Sequence, residues 1–247
     1  MSAAPLAGRR ILLTRAAEDS AAWRAELERL GAEAVALPCI APEPLDTPEL
    51  RRALAEALAS ADWLVFTSRR GVEAAARLGA AAHVGPSVRT AAVGTATARA
   101  VEEAFGRPAL IGAGSGERLA EALVQEAGVG HGQRVVLAVA TGARSALEER
   151  LAAAGAEVTR LEVYRTAAVP PAARKVALSA LGVDAIVLAS PSAVTGLLNQ
   201  VEIDAPAAVY TIGPTTSAAA RASGLNVTAE AREPSFPAVL EAIRCRN

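Results

Sequence analysis

The chain has 247 residues, of which 52% are hydrophobic and only 3% aromatic, and its formal net charge is −1. This length suits one large or two modest domains, each with an aliphatic core. The near-neutral charge gives no bulk reason to expect binding to nucleic acid or to an acidic membrane. The longest uncharged run, residues 185–201, contains a proline and several polar side chains, so we do not expect it to span a membrane.

The cysteines and the N-terminal segment indicate the compartment. Cys39 and Cys245 lie near opposite ends of the chain and form no C-x-x-C pair, which argues against cysteine-based zinc or redox sites. Only three apolar residues, 11–13, follow Arg10 before Thr14, too few for the core of a secretory signal. We therefore expect a cytoplasmic protein with reduced thiols.

Short apolar runs alternate with longer amphipathic stretches along the chain. The predicted strands are 11–14, 34–40, 63–67, 90–93, 109–112, 135–139, 158–164, 185–189, 208–212 and 226–230. The predicted helices are 20–30, 48–59, 70–78, 95–104, 117–127, 143–154, 174–181, 192–200, 215–223 and 235–245. Asp19 or Ser20 is predicted to cap the first helix, which Gly31 ends. This alternation predicts an α/β fold with parallel sheets covered on both faces.

The chain also repeats itself. Residues 11–40 resemble residues 136–163, and within them ELERLGAEA and LEERLAAAGAEV lie about 124 positions apart. Later, DWLVFTSRRGVEA from Asp62 is echoed by DAIVLASPSAVTG from Asp184, and AAVGTATARA from Ala91 by YTIGPTTSAAA from Tyr210. Three echoes in the same order indicate duplication of a half of about 120 residues. Two similar halves predict a cleft between domains, a common place for a ligand.

Two proline-rich segments, 41–49 and 166–173, interrupt the alternation. Such segments are typical of linkers. We therefore expect a discontinuous domain of residues 1–41 and 168–247 around an inserted domain of residues 42–167. The linkers should lie at about 41–45 and 166–171, where we expect a hinge.

Small and hydroxylic residues follow several predicted strands. They are Thr14-Arg15, Thr67-Ser68, Gly94 to Thr97, Ser190 to Ser192, and Gly213 to Thr216. In open parallel sheets ligands bind beyond the carboxyl ends of the strands, and a helix N-terminus there favours anions. Serine and threonine are also ordinary helix caps, so each position alone has a purely structural explanation.

Motifs for other chemistries are weak. The glycines of IGAGSGERL (111–119) follow G-x-G-x-G and not the G-x-G-x-x-G of dinucleotide-binding loops. His83 and His131 lie in predicted loops without a neighbouring acid or cysteine, so neither a metal site nor a Ser–His triad is expected. The sequence has neither a phosphate-binding loop with G-K-[ST] nor a G-x-S-x-G elbow.

Several segments together resemble the uroporphyrinogen-III synthase family. They are DWLVFTSRRGVEA, VGTATARAVEE, LEVYRT, SPSAVTGLL and IGPTTSAAARASGLNV, and the resemblance extends from about Ile11 to Ile243. The I-G-P-T-T-x-x-A segment at 212–219, followed by G-L-x-V at 224–227, is the most specific part.

The resemblance implies two similar flavodoxin-like α/β domains, joined by a two-stranded linker, with the active site in the cleft between them. The implied substrate is hydroxymethylbilane, which loses water and closes into uroporphyrinogen III with ring D inverted. The implied reaction uses no metal or organic cofactor. We expect a monomer without nucleic-acid or membrane partners, with the upstream deaminase as a candidate partner.

The resemblance also implies site residues. Tyr164 matches the family tyrosine that is proposed to assist departure of the hydroxyl group, although packing at a strand end is an alternative role. Ser68, Thr97, Ser190, Ser192, Thr215 and Thr216 would line the substrate site. Arg15, Arg69 and Arg144 are candidate partners of the substrate carboxylates, or solvated surface charges.

Two alternatives remain open from the sequence alone. One is a non-catalytic, two-lobed protein that binds a tetrapyrrole or another small molecule. The other is a degenerate synthase-like domain with a regulatory role. The scarcity of aromatic residues argues against sugar binding, and the intact 212–219 segment with Tyr164 argues against degeneration.

Overall fold

The structure is a computed structural model that describes residues 5–16 and 20–245. The candidate helix cap Asp19 lies outside these residues. Contacts between residues divide the chain into two compact units, Met1–Ala41 with Ala167–Asn247 (unit 1) and Pro42–Thr166 (unit 2). Within the described ranges, no helix is long and apolar enough to cross a bilayer.

Strands and helices alternate through most of the chain. The strands are β1 (Arg10–Leu13), β2 (Glu33–Ala36), β3 (Ile40–Pro44), β4 (Trp63–Phe66), β5 (Arg89–Ala92), β6 (Ala109–Ile111), β7 (Arg134–Ala140), β8 (Glu157–Ala168), β9 (Val176–Ala177), β10 (Ala185–Leu188), β11 (Val201–Glu202), β12 (Ala208–Thr211) and β13 (Val227–Glu230). The helices are α1 (Ala21–Arg29), α2 (Pro48–Ala59), α3 (Arg69–Arg77), α4 (Thr95–Phe105), α5 (Gly116–Glu121), α6 (Ala146–Ala153), α7 (Leu178–Leu181), α8 (Pro191–Gln200), α9 (Pro214–Ala222) and α10 (Phe236–Arg244). A 3₁₀ turn lies at Ala80–Ala82 and a π-helical segment at Ala122–Glu126.

Unit 1 contains a five-stranded parallel sheet in the order β13-β12-β10-β1-β2. Successive side chains of a strand point to opposite faces. Leu12 of β1 therefore joins one buried cluster, with residues of α8 and α9. Ile11 and Leu13 join a second cluster, with residues of α1 and α10. The sheet is thus covered on both faces.

Unit 2 has a six-stranded sheet in the order β3-β8-β7-β4-β5-β6. The strands β8, β7, β4, β5 and β6 run parallel. Leu64 and Phe66 of β4 pack with α2, α3 and α4, whereas Trp63 and Val65 pack with α5 and α6. The predicted α/β class, with parallel sheets flanked by helices, is confirmed.

The sequence repeats occupy equivalent places in the two sheets. In sheet order, β2-β1-β10-β12-β13 of unit 1 corresponds to β8-β7-β4-β5-β6 of unit 2. In unit 1, β2 and β1 come from the first repeat and β10, β12 and β13 from the second. In unit 2, β8 and β7 come from the second repeat and β4, β5 and β6 from the first. Each folded unit therefore combines parts of both repeats, and neither repeat forms a unit by itself.

Equivalent hydrogen bonds connect the two repeats within each unit. Asp184 Oδ2 accepts a hydrogen bond from the backbone N–H of Arg10 at 2.7 Å. In unit 2, Asp62 Oδ2 accepts one from the backbone N–H of Arg134 at 2.8 Å. Each aspartate precedes a strand of one repeat and receives its hydrogen bond from a strand of the other repeat.

The first proline-rich segment is extended, as expected, and begins with a regular strand. The predicted break at 41–49 begins with β3, which is the outermost strand of its sheet and lies next to β8. Prolines are tolerated in such an edge strand because one side needs no hydrogen bonds. The boundaries between the units fall within β3 and β8. Arg165 of β8 donates a hydrogen bond to Glu43 of β3 at 2.7 Å, which lowers the pKa of the Glu43 carboxyl.

Two predicted elements were wrong in detail. The predicted helix 174–181 is instead the short strand β9 followed by the one-turn helix α7, because Ala177 is extended and Asp204 accepts hydrogen bonds from Ser179. The predicted strand 34–40 ends at Ala36, and the chain resumes strand geometry only at Ile40. Pro38, which has no backbone N–H, lies in the interruption.

Candidate active site

The hydroxyl of Tyr164 lies 2.9 Å from Ser68 Oγ. Tyr164 belongs to β8, and Ser68 follows the carboxyl end of β4, so the two residues are 96 positions apart in sequence. Ser68 also caps α3, because its Oγ accepts a hydrogen bond from the backbone N–H of Gly71 at 3.1 Å. Either hydroxyl of the Ser68–Tyr164 pair can be the donor, because Ser68 Oγ has a second lone pair beside the one that accepts from Gly71. When Ser68 donates, the phenolic proton of Tyr164 can reach another acceptor.

Gly71 allows the start of α3 to approach the sheet this closely. A Cβ atom at this position would lie 2.9 Å from the carbonyl oxygen of Ala138 in β7. Only glycine fits without displacing the helix. The local sequence S-R-R-G therefore places the Ser68 cap beside Tyr164.

Charged residues of α3 line a small cavity together with Tyr164. A small cavity of about 90 Å³ is lined by Tyr164, Arg70, Glu73 and Arg77, with Pro42, Pro44 and Ala74 completing it. This volume is far below that of a typical ligand pocket, so the cavity is a niche beside the phenol and not a tetrapyrrole site. Sequence reasoning did not select Arg70 or Arg77, although Arg70 lies within the same S-R-R-G run.

The turn after β7 also contacts the Tyr164 strand. The backbone N–H of Thr141 donates to the carbonyl oxygen of Tyr164 at 2.8 Å, and that of Gly142 donates to Glu162 Oε1 at 3.2 Å. The Gly142 hydrogen bond is the main cause of a lowered pKa for the Glu162 carboxyl. Both interactions anchor β8 at the position of Tyr164. The predicted carboxylate partner Arg144 is exposed in the same connection.

The predicted hydroxyl residues differ in exposure. Thr97 and Thr216 occupy equivalent first turns of α4 and α9, and both are buried, with 6% and 1% of their surface exposed. Their neighbours Thr95 and Thr215 are exposed. Thr95 is thus an accessible hydroxyl at this edge, which the sequence pattern includes but the family resemblance does not single out.

In unit 1 the predicted serines follow β10. Ser190 caps α8 by accepting a hydrogen bond from the backbone N–H of Ala193 at 3.1 Å, as Ser68 does for α3. Its Oγ also lies 3.0 Å from Ser192 Oγ. Thr14, by contrast, donates to the carbonyl oxygen of Val187 at 2.7 Å inside the core, so its hydroxyl has a structural partner.

Two of the predicted arginines have intramolecular contacts. The Arg15 guanidinium lies 4.4 Å from the centroid of the Trp23 ring, which stacks on Phe236. Arg69 lies 3.3 Å from Glu73, one helical turn away. An exposed pair of this kind contributes little to stability, so it does not prevent Arg69 from meeting a substrate carboxylate.

Because both sheets are parallel, each unit collects its predicted residues at one edge. In unit 2 the carboxyl edge carries Ser68, Arg69, Thr97, Arg144 and Tyr164, and in unit 1 it carries Arg15, Ser190, Ser192, Thr215 and Thr216. Across the described parts of the chain, no three His, Cys, Asp or Glu side chains are grouped as metal ligands. The chemistry these edges offer is hydrogen bonding, positive charge and one positioned phenol.

Comparison with known proteins gives a consistent family. A family model described as uroporphyrinogen-III synthase HemD matches residues 21–241. A porphyrin biosynthesis protein HemD from Ruminiclostridium josui is 33% identical over 103 residues, which are 40% of this chain and 20% of that protein. The chain therefore spans about a fifth of the length of this curated relative.

Solved structures similar to this chain carry related names. A mutant uroporphyrinogen III synthase from the extremely thermophilic bacterium Thermus thermophilus is 20% identical, with 96% of this chain and 98% of that chain covered and a TM-score of 0.48. A uroporphyrinogen-III synthetase from Helicobacter pylori is 17% identical, with 97% and 100% covered and the same TM-score of 0.48. The match of the family model over most of the sequence shows that the chain belongs to the uroporphyrinogen-III synthase HemD family.

Proposed function

We propose that this chain is a uroporphyrinogen-III synthase, a lyase that dehydrates and cyclises hydroxymethylbilane with inversion of ring D. The observation that carries the proposal is the family match over residues 21–241. The local geometry agrees with it, because a phenol positioned by a second hydroxyl lies at the sheet edge where ligands of α/β proteins bind.

In this proposal Tyr164 assists the loss of water. The C–O bond of the substrate hydroxymethyl group breaks, and its electron pair leaves with the oxygen while the pyrrole nitrogen supplies electrons to the carbon. The Tyr164 hydroxyl donates a hydrogen bond or its proton to that oxygen, so that water departs. When the ring closes, a pyrrole carbon loses the proton that restores the phenol. Once the phenol has given up its proton, the Ser68 hydroxyl, whose oxygen lies 2.9 Å away, is the group that donates to the phenol oxygen and stabilises negative charge there.

The remaining site residues would orient the substrate. Ring closure must pass through a spiro intermediate instead of joining the two ends directly, which makes conformation the main requirement. Positioning of this kind can lower a barrier by about 7–11 kcal/mol in favourable cases. We assign hydrogen bonding of the acetate and propionate groups to Ser68, Ser190, Ser192 and Thr215, and ion pairing to Arg15, Arg69 and Arg144. The buried Thr97 and Thr216 support these positions from within the first turns of α4 and α9.

The proposal extends to the organisation of the chain and its surroundings. Residues 1–41 and 168–247 form one domain and 42–167 the other, with linkers at 41–45 and 166–171, supported by unit boundaries at 41/42 and 166/167. The protein acts as a cytoplasmic monomer, and its two free thiols suit a reducing compartment. Because hydroxymethylbilane closes unassisted to the type I isomer, the deaminase that forms it is the natural supplying partner.

The decisive experiment is a coupled assay. Hydroxymethylbilane is generated by its deaminase, the protein is added, and the oxidised products are separated into type I and type III isomers. Predominant type III product supports the proposal. Type I product at the rate of a protein-free control would contradict it while leaving the family assignment intact.

A further inference from the structure

A second cavity lies at the opposite edge of the unit 2 sheet from Tyr164. It has a volume of about 630 Å³ and is bordered by the amino ends of β4, β5 and β6. Its wall includes Trp63 and Arg89, which begin β4 and β5, and Arg107, which precedes β6. The cavity opens widely to solvent, and its volume is sufficient to admit a small molecule.

Arg107 is held in the wall by the backbone. Its Nη1 donates to the carbonyl oxygens of Gly85 at 3.0 Å and Val88 at 2.7 Å. Its Nε is buried and has no hydrogen-bond partner among the described residues. The Arg107 guanidinium is therefore held in place by its Nη1 hydrogen bonds, and its Nε–H can still donate to a ligand.

Trp63 offers a second unused donor. The residue is only 2% exposed, and its Nε1–H is buried without a hydrogen-bond partner in the described parts of the chain. Buried N–H groups are normally paired, and leaving one unpaired costs free energy. The guanidinium of the exposed Arg89 lies 4.1 Å from the centroid of the Trp63 ring and is the side chain that covers the indole.

The polar groups of this wall are matched to one kind of ligand. The side chains of Trp63, Arg89 and Arg107 supply only hydrogen-bond donors, and two of them carry positive charge. None of the described residues that line the cavity is acidic. Val88 and Leu110 add apolar surface to the same wall. An anion with acceptor oxygens and an apolar body would satisfy both features.

We propose that this cavity binds a small organic oxyanion, a carboxylate or phosphate carried on an apolar body. The oxygens pair with Arg89 and Arg107, and movement of Arg89 toward the anion opens the Trp63 N–H to an acceptor. The site lies at the amino ends of the strands, whereas Ser68 and Tyr164 lie at the carboxyl ends. It is therefore independent of the proposed cyclisation, and its occupation is measured by binding.

The two tryptophans of the chain provide the measurement. Trp63 and Trp23 are the only ones, so ¹⁵N-labelled protein should give two indole N–H signals. We expect titration with sodium benzoate or phenyl phosphate to shift the Trp63 signal saturably. Trp23 lies under Arg15, which we assign to the candidate synthase site, so a shift of the Trp23 signal with a different dissociation constant reports anion binding at that site and not in this cavity. Saturation with only one of the two anions identifies the preferred oxyanion.

Sodium chloride at equal ionic strength controls for general charge effects. Equal shifts of both indoles, a linear response without saturation, or no shift of Trp63 would each overturn the proposal. Arg89→Gln should weaken binding about tenfold or more, since hydrogen bonds to charged groups are the stronger class. Arg99→Gln removes another exposed arginine, in α4 and outside the lining of this cavity, and should leave binding unchanged. Equal affinity in the Arg89 and Arg99 variants would also overturn the assignment.

Discussion

The hydrogen bond between Ser68 Oγ and the Tyr164 hydroxyl, at 2.9 Å, joins the first turn of α3 to strand β8 across 96 residues of sequence. Ser68 Oγ also accepts a hydrogen bond from the backbone N–H of Gly71 in the first turn of α3. The positive end of the helix is thereby connected to Tyr164 through one hydroxyl. This arrangement suits a phenol that must stabilise developing negative charge.

Replacing Tyr164 by phenylalanine removes only the hydroxyl. We expect the rate of type III product formation to fall by about 10²- to 10⁴-fold, the usual contribution of a positioned proton donor. Affinity for the tetrapyrrole should stay close to that of the unmodified protein, because the ring remains. Product analysis in the coupled assay and equilibrium binding of the product uroporphyrinogen III test the two expectations separately. An unchanged rate would remove Tyr164 from the mechanism.

Ser68→Ala removes both the helix cap and the partner of Tyr164. Loss of the cap should cost about 1 kcal/mol of stability, and loss of the hydrogen bond to Tyr164 about 1 kcal/mol more. Ser115→Ala is the matched control, since Ser115 caps α5 by accepting from the Arg118 N–H at 3.2 Å and lies outside the candidate site. Urea unfolding should show a larger loss for Ser68→Ala, and only that variant should lose synthase activity. Equal losses of stability and equal activities in the two variants would show that Ser68 serves only as a helix cap.

Gly196 packs against the backbone of the segment between β2 and β3. A Cβ atom at this position would lie 1.7 Å from the carbonyl oxygen of Cys39, so Gly196→Ala forces α8 away from that segment. We expect destabilisation by at least about 3 kcal/mol, the upper end for overpacked sites. Gly94→Ala is a suitable comparison, because a Cβ there meets nothing within 4 Å. Thermal unfolding curves of similar midpoint for the two variants would contradict this packing.

Burial raises the pKa of the Cys39 thiol from its ordinary value of 9.0 to about 12. Between pH 9.0 and about 12, the Cys39 thiol keeps its proton in the folded chain and loses it in the unfolded chain. The free energy of unfolding should therefore decline as the pH rises from 9.0 toward about 12. Urea titrations below and above pH 9.0 measure the decline, and Cys39→Ala should reduce it.

Alkylation gives an independent check of the same thiol. Cys245 is exposed and Cys39 is buried. Iodoacetamide applied to the folded protein should label Cys245 first and Cys39 only after denaturation. Early labelling of Cys39, detected by peptide mass spectrometry, would show that this part of unit 1 opens readily.

The proposed domain division predicts that residues 42–166 fold without the rest of the chain. This segment contains β4 to α6, most of β3 and β8, and the buried clusters on both faces of its sheet. We expect the excised segment to unfold cooperatively in urea and to give dispersed NMR spectra. An aggregated or unstructured product would show that its stability depends on unit 1.

The strand and helix pattern was largely predictable because it depends on local periodicity. The strands around Leu12, Leu64 and Ile186 are continuous apolar runs, and such runs are typical of strands buried on both faces. The prediction failed where a tertiary interaction decided the outcome. Residues 174–181, predicted as one helix, form β9 and the one-turn helix α7 because Asp204 accepts hydrogen bonds from Ser179.

The candidate site was only partly predictable. Strand-end serines and threonines are visible in the sequence, and so is the segment that contains Tyr164. The pairing of Tyr164 with Ser68 is not visible, because it depends on the order of strands that are distant in sequence. The burial of Thr97 and Thr216, which separates them from the exposed Thr95 and Thr215, likewise follows from the packing of α4 and α9 on their sheets.

Because each sheet contains strands of both repeats, we can predict how the protein behaves when the chain is cut between the repeats. A cut in the loop before β7, near Gly130, would separate the repeats from each other. One fragment would keep β1 and β2 of one sheet with β4 to β6 of the other, and the second fragment would keep the complementary strands. Neither fragment could complete a sheet alone, so native structure would return only when the two are mixed. Each folded unit therefore depends on the presence of both repeats, because both repeats contribute strands to each sheet.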